Sequence, residues 1–331
     1  MATLGIGIYT NNGRINLKPK PMKKVILALA MMTMCLTSQA RERTDKWGVP
    51  YVKLNNGVEM PRFGLGTFAV SNEDCKQACL VALQNGYRHI DTAHAYNNES
   101  GVGAAIKQSG IDRKEIWVTS KLWPTEYGEG KTMEAIDAML ERMGLEYIDL
   151  LYIHQPIGDY IGAWKDMEKA YEQGKIRALG ISNCDVRDEA YSAIVDGMKI
   201  KPAVHQIECH PYAQRLEMRK KHEKHHIVTE CWFPLGHGDK GLLSDANIAK
   251  IAEKHGKTIV QIILRWHIQE GFSVIPGNTN PDWIKENISI FDFKLDNEDM
   301  ATMRSLNKEK RFYNMSLEQL ERFVLGRQLN R

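Results

Sequence analysis

The chain has 331 residues, 43% apolar and 26% charged, which excludes an intrinsically disordered protein because there is ample material for a core. Its formal charge is +3, and residues 1–40 hold five cations (Arg14, Lys18, Lys20, Lys23, Lys24) with no acid, so the remainder carries +3 less 5, about −2. That balance excludes a basic nucleic-acid surface, and no nucleic-acid partner is expected.

Met22-Lys23-Lys24 opens an apolar run from Val25 to Leu36, followed by Ser38-Gln39-Ala40. Basic start, apolar run and small residues before a cleavage point make the three-part pattern of a secretory signal peptide. The pattern predicts translation from Met22, with residues 1–21 ahead of the true start, and export to the periplasm through residues 22–40. An inactive leader would leave the protein in the cytoplasm. The run is too short to span a bilayer, so no stable membrane span is expected. Met34 is too bulky for a lipid-attachment motif at Cys35.

Tyr51–Leu54 and Val58–Met60 flank Asn55-Asn56-Gly57 and predict a hairpin. Eight short apolar strands follow: Phe63–Gly66, His89–Asp91, Ile116–Ser120, Ile148–Ile153, Ala178–Ser182, Val204–Ile207, Ile227–Cys231 and Phe272–Ile275. Amphipathic helices alternate with them. Cys75 and Cys79 lie four apart on one, on a face with Ala78, Ala82 and Leu83, which indicates core packing. Met133, Ile136, Leu140 and Met143 recur at helical spacing on another. Thr258 to Trp266 and Asp296 to Leu306 are further helices, and Ser316 with Gln319 is a capping box opening the last. The cysteines left after cleavage, Cys75, Cys79, Cys184, Cys209 and Cys231, are odd in number and irregularly spaced, so they form no disulfide framework. Alternating strands and helices fit either a barrel or a doubly wound sheet.

Gly64-Leu65-Gly66 lacks the third glycine and the helix of a dinucleotide fingerprint. Four polar residues instead stand at or just past strand ends: Asp91, Tyr96, Lys121 and His154. In a TIM barrel all such ends open onto one face, so residues distant in sequence converge. Their chemistry is complementary. A tyrosine hydroxyl, with an ordinary pKa near 10, is brought down by a nearby ammonium. A carboxylate holds that ammonium in place and charged, and a histidine binds a substrate oxygen.

Gly86-Tyr87-Arg88-His89-Ile90-Asp91-Thr92-Ala93, with Tyr96, Asn98 and Glu99 after it, resembles the aldo-keto reductase signature. Ser120-Lys121-Leu122-Trp123, Gly180-Ile181-Ser182-Asn183 and Gln206-Ile207-Glu208-x-His210-Pro211-Tyr212 are similar to its later blocks. The likeness runs from about residue 51 to 307. Thr229 to Gly236 resembles the bacterial branch that includes 2,5-diketo-D-gluconate reductases. The resemblance implies a single (β/α)8 TIM barrel over residues 41–331, with an N-terminal β-hairpin and C-terminal helices. It implies reduction of aldehyde, ketone or keto-sugar carbonyls with NADPH or NADH. Tyr96 would be the general acid, Lys121 its tuning cation held by Asp91, and His154 the substrate-orienting group. Thr67, Ser182, Asn183, Gln206, Trp232, Leu235, Gly236, Asn278, Thr279, Glu286 and Asn287 would hold the cofactor. Phe68 and Trp123 would wall the substrate pocket. No metal is expected, and the protein is expected to be a monomer. The alternative function is a cofactor-binding regulatory or sensory subunit, against which the full set Asp91, Tyr96, Lys121 and His154 argues.

The sequence departs from that family after Val274-Ile275-Pro276. Two positions that usually carry Lys and Arg, the clamp for a cofactor 2′-phosphate, are Gly277 and Trp283. Neither offers a cation, so NADH use is expected alongside NADPH, unless backbone N–H groups with Asn278 and Thr279 replace the clamp. Lys285 is the nearest cation. His205 stands where the family commonly has Asn. The loop after Gly236 is short, which implies an open pocket. His222, His225 and His226 follow a Lys-rich stretch and are expected on a solvated helix surface rather than on a metal.

Overall fold

The computed structural model describes residues 43–327 and Leu329. The proposed signal peptide and the start at Met22 lie outside the described residues. The chain opens with an antiparallel pair, β1 (Tyr51–Lys53) and β2 (Glu59–Pro61), with Tyr51 opposite Pro61. The hairpin turn places Gly57 at φ 86°, a left-handed conformation that glycine adopts without cost.

Eight parallel strands follow, hydrogen-bonded in sequence order: β3 (Leu65–Gly66), β4 (His89–Asp91), β5 (Trp117–Leu122), β6 (Leu150–Ile153), β7 (Leu179–Ser182), β8 (Val204–Glu208), β9 (Val228–Trp232) and β10 (Ser273–Val274). Phe63 bridges Val274 and Gly66 bridges Gly277 in parallel, so the sheet closes on itself. The described residues form eleven α-helices. They are α1 (Asn72–Gln84), α2 (Glu99–Ser109), α3 (Lys131–Met143), α4 (Tyr160–Glu172), α5 (Asp188–Val195), α6 (Leu216–His225), α7 (Ala246–His255), α8 (Ile259–Gln269), α9 (Pro281–Ile288), α10 (Asn297–Ser305) and α11 (Leu317–Gly326). Every strand expected from the sequence is present, each with ends shifted by at most two residues.

The main core fills the layer between barrel and helices, with Cys75, Ala78, Cys79, Ala82 and Leu83 of α1 among its buried residues. The five described cysteines are all buried and free. Thr258 caps α8, and its box with Gln261 is complete. Ser316 and Gln319 do the same for α11. Among the described residues no helix is long and apolar enough to cross a membrane.

The seam explains two glycines. A Cβ on Gly66 would stand 2.8 Å from the Ile275 carbonyl oxygen, and one on Gly277 would stand 3.1 Å from that of Gly66. Gly277 is therefore fitted to barrel closure, besides withholding a cation from the neighbouring loop. Gly64, part of the apparent fingerprint, is likewise a packing residue: its Cβ would meet the His89 ring at 2.8 Å.

Candidate active site

Strand alternation decides which side chains enter the barrel, because residues two apart share a face. His89 with Asp91, Thr119 with Lys121, Gln206 with Glu208, and Glu230 with Trp232 each share one. The interior is consequently polar and hydrogen-bonded. Lys121 Nζ donates to Asp91 Oδ1 at 2.5 Å and to the Thr92 carbonyl at 2.9 Å. Gln206 Nε2 donates to Asp91 Oδ2 and Glu230 Oε1, both at 2.8 Å. Glu230 also accepts from the Tyr152 hydroxyl at 2.9 Å and the Ser273 hydroxyl at 2.8 Å. Thr119 Oγ1 lies 2.9 Å from His89 Nε2.

At the carboxyl ends of the strands, Asp91, Tyr96, Lys121 and His154 come together as the sequence predicts. Tyr96 ends a short 3-10 turn after β4, and Lys121 Nζ stands 4.9 Å from its ring centroid. At that distance the Lys121 charge acts directly on the Tyr96 side chain. The His154 and Tyr96 rings meet edge-on at 5.8 Å. Burial lowers the Lys121 pKa, but Asp91 and Tyr96 more than offset it, so the ammonium is held above its ordinary value. Burial raises Asp91, assisted by Glu230 and opposed by Lys121.

Tyr96 departs from expectation. Burial raises its pKa, and the opposing pull of Lys121 does not reverse the shift. The hydroxyl is thus protonated at neutral pH, a state suited to giving a proton away. Burial, with the Lys121 and Arg327 charges, drives His154 well below its ordinary value. Its imidazole is neutral at pH 7, and Nδ1 is buried with no protein partner.

The expected cofactor residues fall in two groups. Ser182, Asn183, Gln206 and Trp232 line the strand ends beside Lys121 and His154. Asn183, at φ 58°, donates from Nδ2 to the His154 carbonyl at 3.1 Å, and the Trp232 indole donates to its Oδ1 at 3.1 Å. Thr67 is buried nearby, its hydroxyl donating to the Asp91 carbonyl at 3.0 Å. Leu235 packs on the main core. Gly236 has φ 60° in a turn too tight for a side chain, since its Cβ would lie 2.7 Å from Phe312. The second group lies along the loop into α9. Asn278 Oδ1 accepts from the Asn280 N–H, Thr279 is exposed, and Trp283 is 58% exposed. Glu286 accepts from the Thr258 hydroxyl, and Asn287 is buried.

Phe68 and Trp123 differ from each other. Phe68 is half-exposed and meets the Tyr96 ring edge-on at 5.2 Å. Trp123 is buried, and its indole donates to the Val324 carbonyl of α11 while its ring meets His154 at 5.1 Å. α11 therefore returns over the strand ends. Glu208 helps to bring it there: its carboxylate accepts from the Phe312 backbone N–H at 2.6 Å and from Arg311 Nε at 3.0 Å. Tyr313 then meets Trp232 edge-on at 5.6 Å.

The expected solvated histidine cluster is corrected at one member. His222 is buried, its Nε2 lying 2.8 Å from His205 Nδ1 and its Nδ1 lying 2.7 Å from Thr229 Oγ1. His225 is half-buried and His226 exposed. The unexplained His205 thus has a partner, between the barrel and α5 and α6.

A family model, the aldo/keto reductase family, matches residues 61–308. Glyoxal reductase of Bacillus subtilis is 45% identical over 262 residues, covering 78% of this chain and 94% of the relative. A methylglyoxal reductase of Escherichia coli is 38% identical over 263 residues, covering 78% and 94%. The crystal structure of a Bombyx mori aldo-keto reductase in complex with NADP superposes with a TM-score of 0.76 at 32% identity, covering 81% of this chain and 95% of that one.

Proposed function

The chain belongs to the aldo/keto reductase family and is an oxidoreductase acting on carbonyl groups, and we propose that it reduces aldehydes, ketones or keto-sugars with Tyr96 as proton donor. The observation that carries this proposal is the placement of the half-buried Tyr96 ring 4.9 Å from an ammonium that is ion-paired with Asp91.

The residues at the strand ends fit a nicotinamide cofactor. Trp232 is half-buried and fixed in orientation by Asn183. Gln206 has both observed amide contacts turned towards carboxylates, which leaves its carbonyl oxygen for a carboxamide N–H. Ser182 and Asn183 flank the same place. Leu235, Gly236 and Thr67 would lie along the cofactor, with Asn278, Thr279, Glu286 and Asn287 towards its adenosine end. A reduced nicotinamide, when bound, supplies the hydride that the carbonyl carbon takes up.

The protein's own residues supply the rest. The substrate oxygen sits between the Tyr96 hydroxyl and the neutral His154 imidazole, which donates a hydrogen bond. As negative charge develops on that oxygen, Tyr96 transfers its proton. The phenolate left behind is stabilised by the Lys121 ammonium until a proton returns from water. Asp91 prevents burial from neutralising Lys121. Phe68 lines the approach, and Trp123 supports His154 from beneath α11.

Cofactor choice follows from the loop into α9. With Gly277 and Trp283 in place of cations, and Asp282 beside Trp283, a 2′-phosphate finds little positive charge. NADH is therefore used at rates comparable to NADPH. Oxidation of reduced nicotinamide, followed by absorbance with methylglyoxal, a keto-sugar acid and an aromatic aldehyde, tests the proposal. Turnover that vanishes in Tyr96→Phe supports it. No oxidation with any carbonyl, despite cofactor binding, rejects it.

A further inference from the structure

Arg327 directly follows α11. That helix buries Leu320 and Val324 against Ala95, Trp123 and Ile157. The Arg327 guanidinium donates to the Ala95 carbonyl at 2.5 Å and stands 5.6 Å from the Trp123 ring centroid. Ala95 immediately precedes Tyr96, and Trp123 is the ring that meets His154. A cation delivered by the far end of the chain is thus fixed beside the two groups that would hold the carbonyl oxygen. Its charge is felt there: with burial and Lys121 it lowers His154, and it opposes the burial that raises Tyr96.

Three other cations near the strand ends are neutralised, while Arg187 donates to the Pro156 carbonyl. Lys121 pairs with Asp91, Arg215 with Asp185, and Arg311 with Glu208. Among the described residues no carboxylate pairs with Arg327. A guanidinium has five N–H donors in a rigid fork, and one hydrogen bond to Ala95 leaves capacity for a carboxylate. The site is half-buried, where a charge-assisted pair is stronger than on an open surface.

We propose that Arg327 determines substrate class: it pairs with a carboxylate carried by the substrate, so the site favours oxo-acids and aldehyde acids over neutral carbonyl compounds. This rests on the reductase reading of the same site. The trade is an ion pair only, with no bond made or broken. α11 thereby does more than cover the barrel mouth, because it carries the group that selects what enters.

The test uses two matched pairs of aldehydes, each with a charged and a neutral member of similar size. One pair is rigid, 4-carboxybenzaldehyde and 4-methylbenzaldehyde. The other is flexible, succinic semialdehyde and pentanal, and lets the carboxylate find its partner over a range of distances. The readout is the ratio of kcat/KM, charged over neutral, within one protein preparation, so any loss of folded enzyme cancels. The ratio is expected to fall about tenfold in Arg327→Gln, the size of one charge-assisted pair. It recovers in part in Arg327→Lys and declines as salt is raised in the unmodified protein. A ratio that stays within about twofold in Arg327→Gln for both pairs overturns the proposal while neutral aldehydes are still reduced. Absence of turnover with all four aldehydes in the unmodified protein overturns the reductase reading and this inference with it.

Discussion

Lys121 and Asp91 form an ion pair 2.5 Å long with side chains only 1% and 3% exposed. A buried pair is costly to break from one side, because the partner remains as an uncompensated charge. Lys121→Met is expected to lower stability by about 3–5 kcal/mol. Urea denaturation measures this. Combining Lys121→Met with Asp91→Asn should recover part of the loss, and a double variant less stable than the sum of the singles would contradict the pairing.

Tyr96→Phe removes the proposed proton donor and leaves the ring in place. Turnover should fall about 10²–10⁴-fold. Binding of the reduced cofactor, followed by its fluorescence, should be retained. Residual activity above a tenth of the original would mean another group delivers the proton.

Trp283 is largely exposed, so it can be exchanged without disturbing the core. Gly277 cannot, because of its closeness to Gly66. Trp283→Arg should therefore raise the NADPH-to-NADH ratio of kcat/KM by roughly tenfold. The unmodified protein should favour NADPH by less than about tenfold. A strong NADPH preference before any substitution would show that the phosphate is held by other groups.

Three buried histidines away from the Tyr96 site bear on acid stability, and the lowered His154 adds to them with the same sign. Burial lowers His205 to about 3, His222 to about 2 and His267 to about 4. In the unfolded chain each titrates near 6.5. Above that pH all three are neutral in both states and no stability is lost. As pH falls below about 6.5, the unfolded chain gains protons that the folded one refuses, so stability drops by up to about 1.4 kcal/mol per pH unit for each histidine. The urea midpoint should fall steeply between about pH 7 and pH 5. His205→Asn should flatten that slope by about a quarter, since four lowered histidines share it, and an unaltered slope would assign the acid sensitivity elsewhere.

The strands were legible because each is a short apolar run ending in a polar or small residue, and the four polar residues stood out at those ends. Glu230 and Tyr152 were not, since Thr229-Glu230-Cys231 reads as one more buried strand. Counting back two residues from Trp232 would have placed Glu230 inside the barrel. His222 was misread because α6 is charged on nearly every side. Only Met218 and His222, four apart, mark its inner face. The return of α11 to Trp123 had no local signal at all. It depends on Glu208 gripping the backbone at Phe312, a contact across about a hundred residues. The fine tuning of Tyr96 was also hidden, because the sequence names the neighbouring cation but not the depth of burial.

The seam between Phe63–Gly66 and Val274–Gly277 carries a consequence for biosynthesis. Its two sides are separated by about two hundred residues, so the first strand of the barrel leaves the ribosome long before its final neighbour exists. Until residue 277 is made, both outer strands present unpaired backbone groups, the kind of edge that recruits other chains. Folding to completion is thus a late event governed by a distant contact, and slow in the manner of chains rich in such contacts. Molecular chaperones that shield nascent strands would act on this protein chiefly in that interval.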